Sequence, residues 1–314
     1  MAAGLLTPLS WLWRAGGAWR RGRARPYRPT IPVLCIGNAV MGGAGKTPVA
    51  RDLALALQQA GHRPHILTRG YGGTVAGPQL VDPAVDTAAT VGDEALLLAR
   101  TAPVWVSRDR PSGARAAEAA GATHIVMDDG FQNPSLLKTV SVLVVDAQTG
   151  FGNGCVFPAG PLREPASAAL ERADVIVLMG DFDCPEPKEV AATTAPRLRA
   201  AMRVPELPLP RGSDCVAFAG IGQPEKFFAT AEAIGLKLQG RRSFPDHHPY
   251  SDAEMQALVQ QARDCGAQLI TTEKDAVRVP LRFAEAVTAI PIVLEWQGGR
   301  ALLDTIRSEF PDVV

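Results

Sequence analysis

The sequence has no C-x-x-C pair, no cluster of cysteine with histidine and no net charge. Its five cysteines (Cys35, Cys155, Cys184, Cys215 and Cys265) are scattered, which argues against a disulfide framework or a zinc site and fits a reducing compartment. There is no internal repeat and no low-complexity tract. With 46% hydrophobic residues over 314, the chain can bury a full core, which excludes disorder and a fibrous fold. Acids are missing from one place: the first 30 residues carry six arginines (Arg14, Arg20, Arg21, Arg23, Arg25, Arg28) and no Asp or Glu. The basic end is therefore local, compensated by an acidic remainder, and a nucleic-acid partner is not expected.

That basic end is also apolar. Leu5, Leu9, Leu12, Gly16 and Trp19 recur at helical spacing with Leu6 and Trp13 beside them, while Thr7, Ser10, Arg14, Gly17 and Arg21 take the opposite face. Thr7 before Pro8 predicts an N-cap and first turn. The apolar stretch is about a dozen residues, short of the ~20 that cross a bilayer, and the arginines follow it rather than precede it as in a secretory signal. Trp11, Trp13 and Trp19 among arginines predict an amphipathic helix lying on an anionic membrane surface; a helix docked on the domain with a solvated basic tail is the alternative.

The centre of the chain's organisation is Ile31 to Pro48. Val33 to Ile36 reads as a buried strand that breaks into a glycine turn and then a helix from Thr47, the recipe for a phosphate cradle. Gly42, Gly43, Ala44, Gly45, Lys46, Thr47 and Pro48 would hold a nucleotide. Lys46 would reach the terminal phosphates and Thr47 would ligate Mg²⁺. The general P-loop signature asks for glycine where this chain has Val40.

Around that loop, strands and helices alternate: helix Thr47 to Ala60, strand Pro64 to Thr68, helix Asp93 to Arg100, strand Pro103 to Ser107 and helix Ser112 to Ala120. Strands follow at His124 to Met127, Ser141 to Val145 and Asp174 to Met179. This predicts an α/β fold, a doubly wound and mostly parallel P-loop sheet. The proline-rich Cys184 to Gly212 reads as a connection to a second, smaller α/β unit, with strands at Asp214 to Ala219, Gln268 to Thr271 and Pro291 to Leu294 and helices at Pro224 to Ile234 and Ser251 to Cys265. The expected division is 1–30, 31–205 and 206–314.

Chemistry should gather at strand ends. Asp128 and Asp129 close a strand expected beside the P-loop strand, where a second magnesium-contacting carboxylate belongs, although Asp-Asp-Gly alone is a common turn. Arg69, in Arg-Gly-Tyr-Gly, could hold an anionic substrate or be a surface arginine on a glycine turn; Arg163 is an anion contact, and Glu164 is a possible metal contact. Asp93 opens a helix and could be only an N-cap. Of the adjacent His247 and His248, either could be a base or orient one. Thr271 to Asp275 has no role assignable from spacing.

Taken together, Gly-Asn-x-x-x-Gly-Gly-x-Gly-Lys-Thr-Pro (37–48), Arg-Gly-Tyr-Gly (69–72), Gly-Asp-Glu (92–94), Asp-Asp-Gly-Phe-Gln (128–132), Gly-Phe-Gly-Asn-Gly (150–154), Pro-Ala-Gly-Pro-Leu-Arg-Glu (158–164), Asp-His (246–247) and Thr-Glu-Lys-Asp-Ala (272–276) resemble the tetraacyldisaccharide 4'-kinase family, in its order across nearly the whole chain. The resemblance implies transfer of the ATP γ-phosphate to the 4'-hydroxyl of a tetraacylated glucosamine disaccharide 1-phosphate, a lipid A precursor, peripherally at the cytoplasmic face of the inner membrane. It implies Asp93 as base paired with His247, Gln132 and Glu164 helping to hold Mg²⁺, and Asn38, Arg69, Tyr71 and Arg163 toward substrate. Asn133 departs from the family's usual histidine. A P-loop ATPase switch, which would favour lysine where Met41 stands, and a soluble small-metabolite kinase are the competing classes.

Overall fold

In the computed structural model, which describes residues 2–299 and 301–314, β1 (Val33–Gly37) is buried along its whole length. It lies between β5 (His124–Asp128) and β6 (Val140–Asp146), parallel to both. The unbroken apolar runs of these strands suit a sheet covered on both faces. The same sheet holds β2 (Pro64–Thr68), β3 (Gln79–Leu80), β4 (Val104–Val106), β7 (Val175–Met179), β8 (Arg197–Arg203) and β13 (Val293–Trp296). Its order is β13-β8-β7-β6-β1-β5-β2-β4-β3, with the edge strands β3 and β13 antiparallel to their neighbours.

Helix α2 (Lys46–Gln59) leaves the β1 turn and buries Val49, Ala50, Leu53, Ala54 and Leu57. Around the large sheet also lie α3 (Ala88–Val91), α4 (Asp93–Ala99), α5 (Arg110–Ala119), α6 (Ala166–Glu171) and α7 (Lys188–Ala191). The smaller lobe is a second parallel sheet of β9 (Asp214–Ala219), β10 (Lys237–Ser243), β11 (Gln268–Thr272) and β12 (Val287–Ile290), ordered β10-β9-β11-β12. Its helices are α8 (Pro224–Ala233), α9 (Asp252–Asp264) and α10 (Glu273–Ala276), with Ser251 and Glu254 closing a reciprocal cap on α9.

Besides β3, β10, β12 and the short helices α3, α6 and α7, which were not expected from the sequence, three details differ from the sequence expectations. The stretch Cys184 to Gly212 contains a full strand, β8, in which Leu198, Ala200 and Ala201 are buried while Arg197, Arg199 and Arg203 are not; its arginines disguised it as linker. The strand expected near Pro291 to Leu294 is β13, which leaves the smaller lobe and pairs with β8. After it α11 (Leu302–Glu309) buries Leu302, Leu303 and Ile306 in the core shared with α2. Finally, the N-terminal helix α1 (Ala2–Arg23) begins ahead of Thr7 and runs through Pro8, whose ring is solvent-exposed.

Helix α1 turns its polar face inward. Ser10 is buried and its hydroxyl donates to the Val156 carbonyl at 2.7 Å, Trp13 Nε1 donates to the Arg163 carbonyl at 3.0 Å, and Arg21 stands 3.5 Å from Glu164. Leu9, Trp11, Leu12 and Trp19 point away, each more than half exposed. This reverses the usual arrangement of a surface helix, whose apolar stripe faces the core. Among the described residues no helix is long and apolar enough to cross a membrane.

Candidate active site

The turn between β1 and α2 is shaped by glycine where glycine is required. Gly42 (φ 115°) and Gly45 (φ 84°) adopt left-handed backbone, and a Cβ on Gly42 or Gly43 would meet no atom within 4 Å. The space beside Gly42 and Gly43 is thus open, and the turn runs directly into the N-terminus of α2, whose first amides have no partner within the helix. Val40 stays out of the left-handed region. It bridges Leu162, while Met41 N–H donates to the Pro161 carbonyl at 2.7 Å, so the glycine of the general signature is not needed here. Pro48 sits in the first turn of α2, where no N–H partner is lost, and Ala44 is buried.

The two acids at the end of β5 differ in surroundings. Asp128 is buried; its Oδ2 accepts from the Thr47 hydroxyl at 3.4 Å and its Oδ1 has no partner. Burial, with the charges of Glu94 and Asp129, pushes its carboxyl well above the usual range. Asp129, with left-handed φ of 50°, lies 2.8 Å from Arg163 Nη1 and 3.7 Å from Lys46 Nζ. Burial raises its carboxyl, but Lys46, Arg163 and Arg110 outweigh this and hold it below the ordinary value. Adjacent, Gln132 Nε2 donates to the Asn38 carbonyl at 2.7 Å and to Glu164 at 3.1 Å. Asn38 is fully buried with its Oδ1 unpartnered.

Glu164 is buried beside this group. Both its oxygens accept from Arg172 Nη2 at 2.7 Å, so its carboxylate is committed to an ion pair with Arg172 as well as to Gln132. Asn133 shapes the local turn, accepting from Ser135 N–H and hydroxyl at 2.9 and 2.8 Å.

The two lobes meet at Asp93. His247 Nδ1 lies 2.8 Å from Asp93 Oδ2, and Asp93 Oδ1 accepts from the Glu94 N–H at 2.9 Å. Burial pushes the Asp93 carboxyl up; the His247 hydrogen bond and the charges of Lys274, His247 and Arg278 overcome it and hold the group below its ordinary value. The same hydrogen bond raises His247 against burial and Lys274. His248 is turned elsewhere, 3.0 Å from Glu254. His247 has a left-handed φ of 59°, a conformation that a bulky residue keeps only where its surroundings enforce it. Tyr71, 68% exposed, packs its ring 5.5 Å from the His247 imidazole, and the exposed Arg69 follows β2 nearby in sequence.

Sequence reasoning missed Arg110, Lys274 and Arg278. Arg110 is buried at the start of α5, with burial lowering its guanidinium to about 10 despite the nearby Asp128 and Asp129. Nothing in its local sequence marks it. Lys274 and Arg278 lie in or beside a motif that was visible but had no partner until the lobes were seen together.

A family model described as tetraacyldisaccharide-1-P 4'-kinase (LpxK) matches residues 2–310. The chain belongs to the tetraacyldisaccharide 4'-kinase family. It is 50% identical over 309 residues to the tetraacyldisaccharide 4'-kinase of Phenylobacterium zucineum, covering 96% of this chain and 92% of that one. It is 51% identical over 299 residues to that of Paramagnetospirillum magneticum, covering 93% and 90%. LpxK from Aquifex aeolicus, whose crystal structure was solved in complex with ATP, superposes with a TM-score of 0.80 at 26% identity, covering 100% of this chain and 99% of that one. Membership makes this chain an ATP-dependent kinase of lipid A biosynthesis acting at the 4'-hydroxyl.

Proposed function

We propose that the 4'-kinase reaction runs between the P-loop and the Asp93–His247 pair, with Mg²⁺ at Thr47 and Asp128, on a lipid substrate reached from an anionic membrane surface at the cytoplasmic face of the inner membrane. The observation that carries this reading is the 2.8 Å contact between Asp93 and His247 across the lobes, beside Glu94, whose charge is felt at Asp128. The residues fit a divalent cation: Asp128 Oδ1 is buried without a partner, and a hydroxyl accompanies it on Thr47. Of the other expected ligands, Asp129 follows directly in sequence but pairs with Arg163, and Glu164 is committed to Arg172 and Gln132. When bound, Mg²⁺ would neutralise phosphate charge.

In the reaction the 4'-oxygen forms a bond to the γ-phosphorus as the bond to the β-phosphate oxygen breaks, and ADP leaves. Lys46 and the loop amides neutralise the phosphates and hold the γ-phosphoryl group in line. Asp93 aligns the 4'-hydroxyl and accepts its proton late, when the oxygen has become acidic, and His247 orients the carboxylate. Arg69, Tyr71 and Arg163 are assigned to the substrate side, whereas the fully buried Asn38 supports the loop, its Nδ2 donating to the Gly42 carbonyl at 3.3 Å. The outward apolar face of α1, with Arg20 and Arg23 on the same helix, suits burial at an anionic interface while the inward face stays docked.

The test is Lys46→Ala in purified protein with lipid disaccharide and ATP. Phosphorylation of the lipid should vanish while the thermal transition is preserved. Turnover near that of the unmodified enzyme would refute the P-loop assignment.

A further inference from the structure

Every charged side chain in the segment Thr272 to Arg278 has a partner. Glu273 accepts two hydrogen bonds from Arg51 of α2, at 3.1 and 3.0 Å, tying the smaller lobe to the helix that leaves the P-loop. Asp275, fully buried, accepts from Gly220 N–H at 2.9 Å, from the Tyr250 hydroxyl at 2.6 Å, from the Thr272 hydroxyl at 2.6 Å, and from Arg278. Arg278 also donates to the Gly220 carbonyl at 2.9 Å, and its side chain is 3% exposed. The guanidinium is thus fixed by the smaller lobe, and its Nε stands 3.6 Å from Asp93 Oδ2. Lys274, one turn earlier, lies 3.4 Å from His247 Nε2, 3.6 Å from Glu94 and 3.7 Å from Asp246.

Asp93 belongs to the larger lobe, yet its imidazole partner and both nearby cations come from the smaller one. A buried carboxylate without such partners would take up a proton. The ammonium of Lys274 can only donate, so in the neutral imidazole His247 Nε2 accepts and the ring proton sits on Nδ1, aimed at Asp93. We infer that Lys274 and Arg278 are positioning residues for phosphoryl transfer: they hold Asp93 ionised and His247 in one tautomer, so the pair is competent only while the smaller lobe is seated. This rests on the reading of Asp93 as proton acceptor. The groups facing Asp93 are His247, Lys274, Arg278 and the Glu94 amide; those facing His247 are Asp93, Lys274, Asp246 and Tyr71.

The test compares the pH profiles of kcat and of KM for ATP, from ATP titrations at saturating Mg²⁺ and lipid, for Lys274→Met, Arg278→Gln and the double variant Arg278→Met/Asp275→Asn. Lys274 is partly exposed, so its loss spares the core, and the double variant removes a buried ion pair as a unit, which proteins often tolerate. Each variant should lose kcat by roughly tenfold with KM for ATP unchanged. The acid limb of kcat should move up by about one pH unit, the order by which a neighbouring cation holds a carboxylate down. In an Asp93→Asn background the same substitutions should cost less than about twofold, as expected of residues acting through one group. An unmoved acid limb in the folded variants, or an undiminished loss in the Asp93→Asn background, overturns the inference. Asp93→Asn with unchanged kcat overturns the proton-acceptor reading instead, so the two failures are distinct.

Discussion

Asp93→Asn is the most informative single substitution. Asp93 is 4% exposed, and asparagine keeps its shape and can still accept the Glu94 N–H at Oδ1. What changes is the atom facing His247: an anionic acceptor 2.8 Å from Nδ1 becomes an amide that must either donate there or give up the Oδ1 contact. A positioned proton acceptor is worth ~10²–10⁴ in rate. At 1.36 kcal/mol per tenfold, that corresponds to about 2.7–5.4 kcal/mol of transition-state stabilisation. The loss should fall on kcat. KM for ATP should hold, because the hydrogen bonds of Asp93 run to His247 and Glu94 and not to the P-loop. The assay is initial-rate ADP release at saturating lipid, with the thermal transition followed alongside. An unchanged kcat with a raised KM for the lipid would reduce Asp93 to a binding or capping residue and refute the reasoning.

Leu12→Glu and Trp19→Glu, at side chains 71% and 61% exposed, should weaken sedimentation with anionic vesicles while leaving the thermal transition in place; unchanged sedimentation would remove the membrane role of α1. Gly37→Ala would put a Cβ 2.4 Å from Phe131 Cβ and 3.0 Å from its backbone nitrogen. It should cost about 1–3 kcal/mol of stability and weaken nucleotide binding, readable by denaturant titration and by ATP binding. His65 and His124 are both held below the ordinary imidazole value by burial, and His65 further by Arg63. Their folded values lie below the unfolded one, so the stability they contribute is present above about pH 6.5 and is lost as pH falls through that value toward the folded ones. The thermal midpoint should drop on acidification, and less so in His65→Asn.

Much of the larger lobe was legible because its signals are local. The apolar run Val33 to Ile36, the glycines after it and the helical pattern from Thr47 each state their own structure, and β1, the turn and α2 follow. The pairing of β1 with β5, which brings Asp128 to Thr47, followed from P-loop logic. What stayed hidden was long-range. β8 intersperses three arginines among apolar residues, a pattern that reads as linker until a neighbouring strand covers one face. β13 and α11 look like parts of the smaller lobe by position, and only packing shows them joined to β8 and α2. The site divides in the same way. Asp93 reads locally as an N-cap, and nothing nearby in sequence announces that His247, Lys274 and Arg278 satisfy it from the other lobe. The choice between His247 and His248 likewise needed the observed contacts, 2.8 Å to Asp93 and 3.0 Å to Glu254.

The central claim is that this chain delivers the ATP γ-phosphate to the 4'-oxygen through one assembled site. The direct measurement is ATP turnover with and without the lipid disaccharide 1-phosphate, followed by product mass and by ³¹P NMR to locate the new phosphate. Turnover should depend on the lipid, the product should be heavier by one phosphoryl group at the 4' position, and both should be lost in Lys46→Ala. ATP hydrolysis indifferent to the lipid, with the disaccharide recovered unchanged, would contradict the claim.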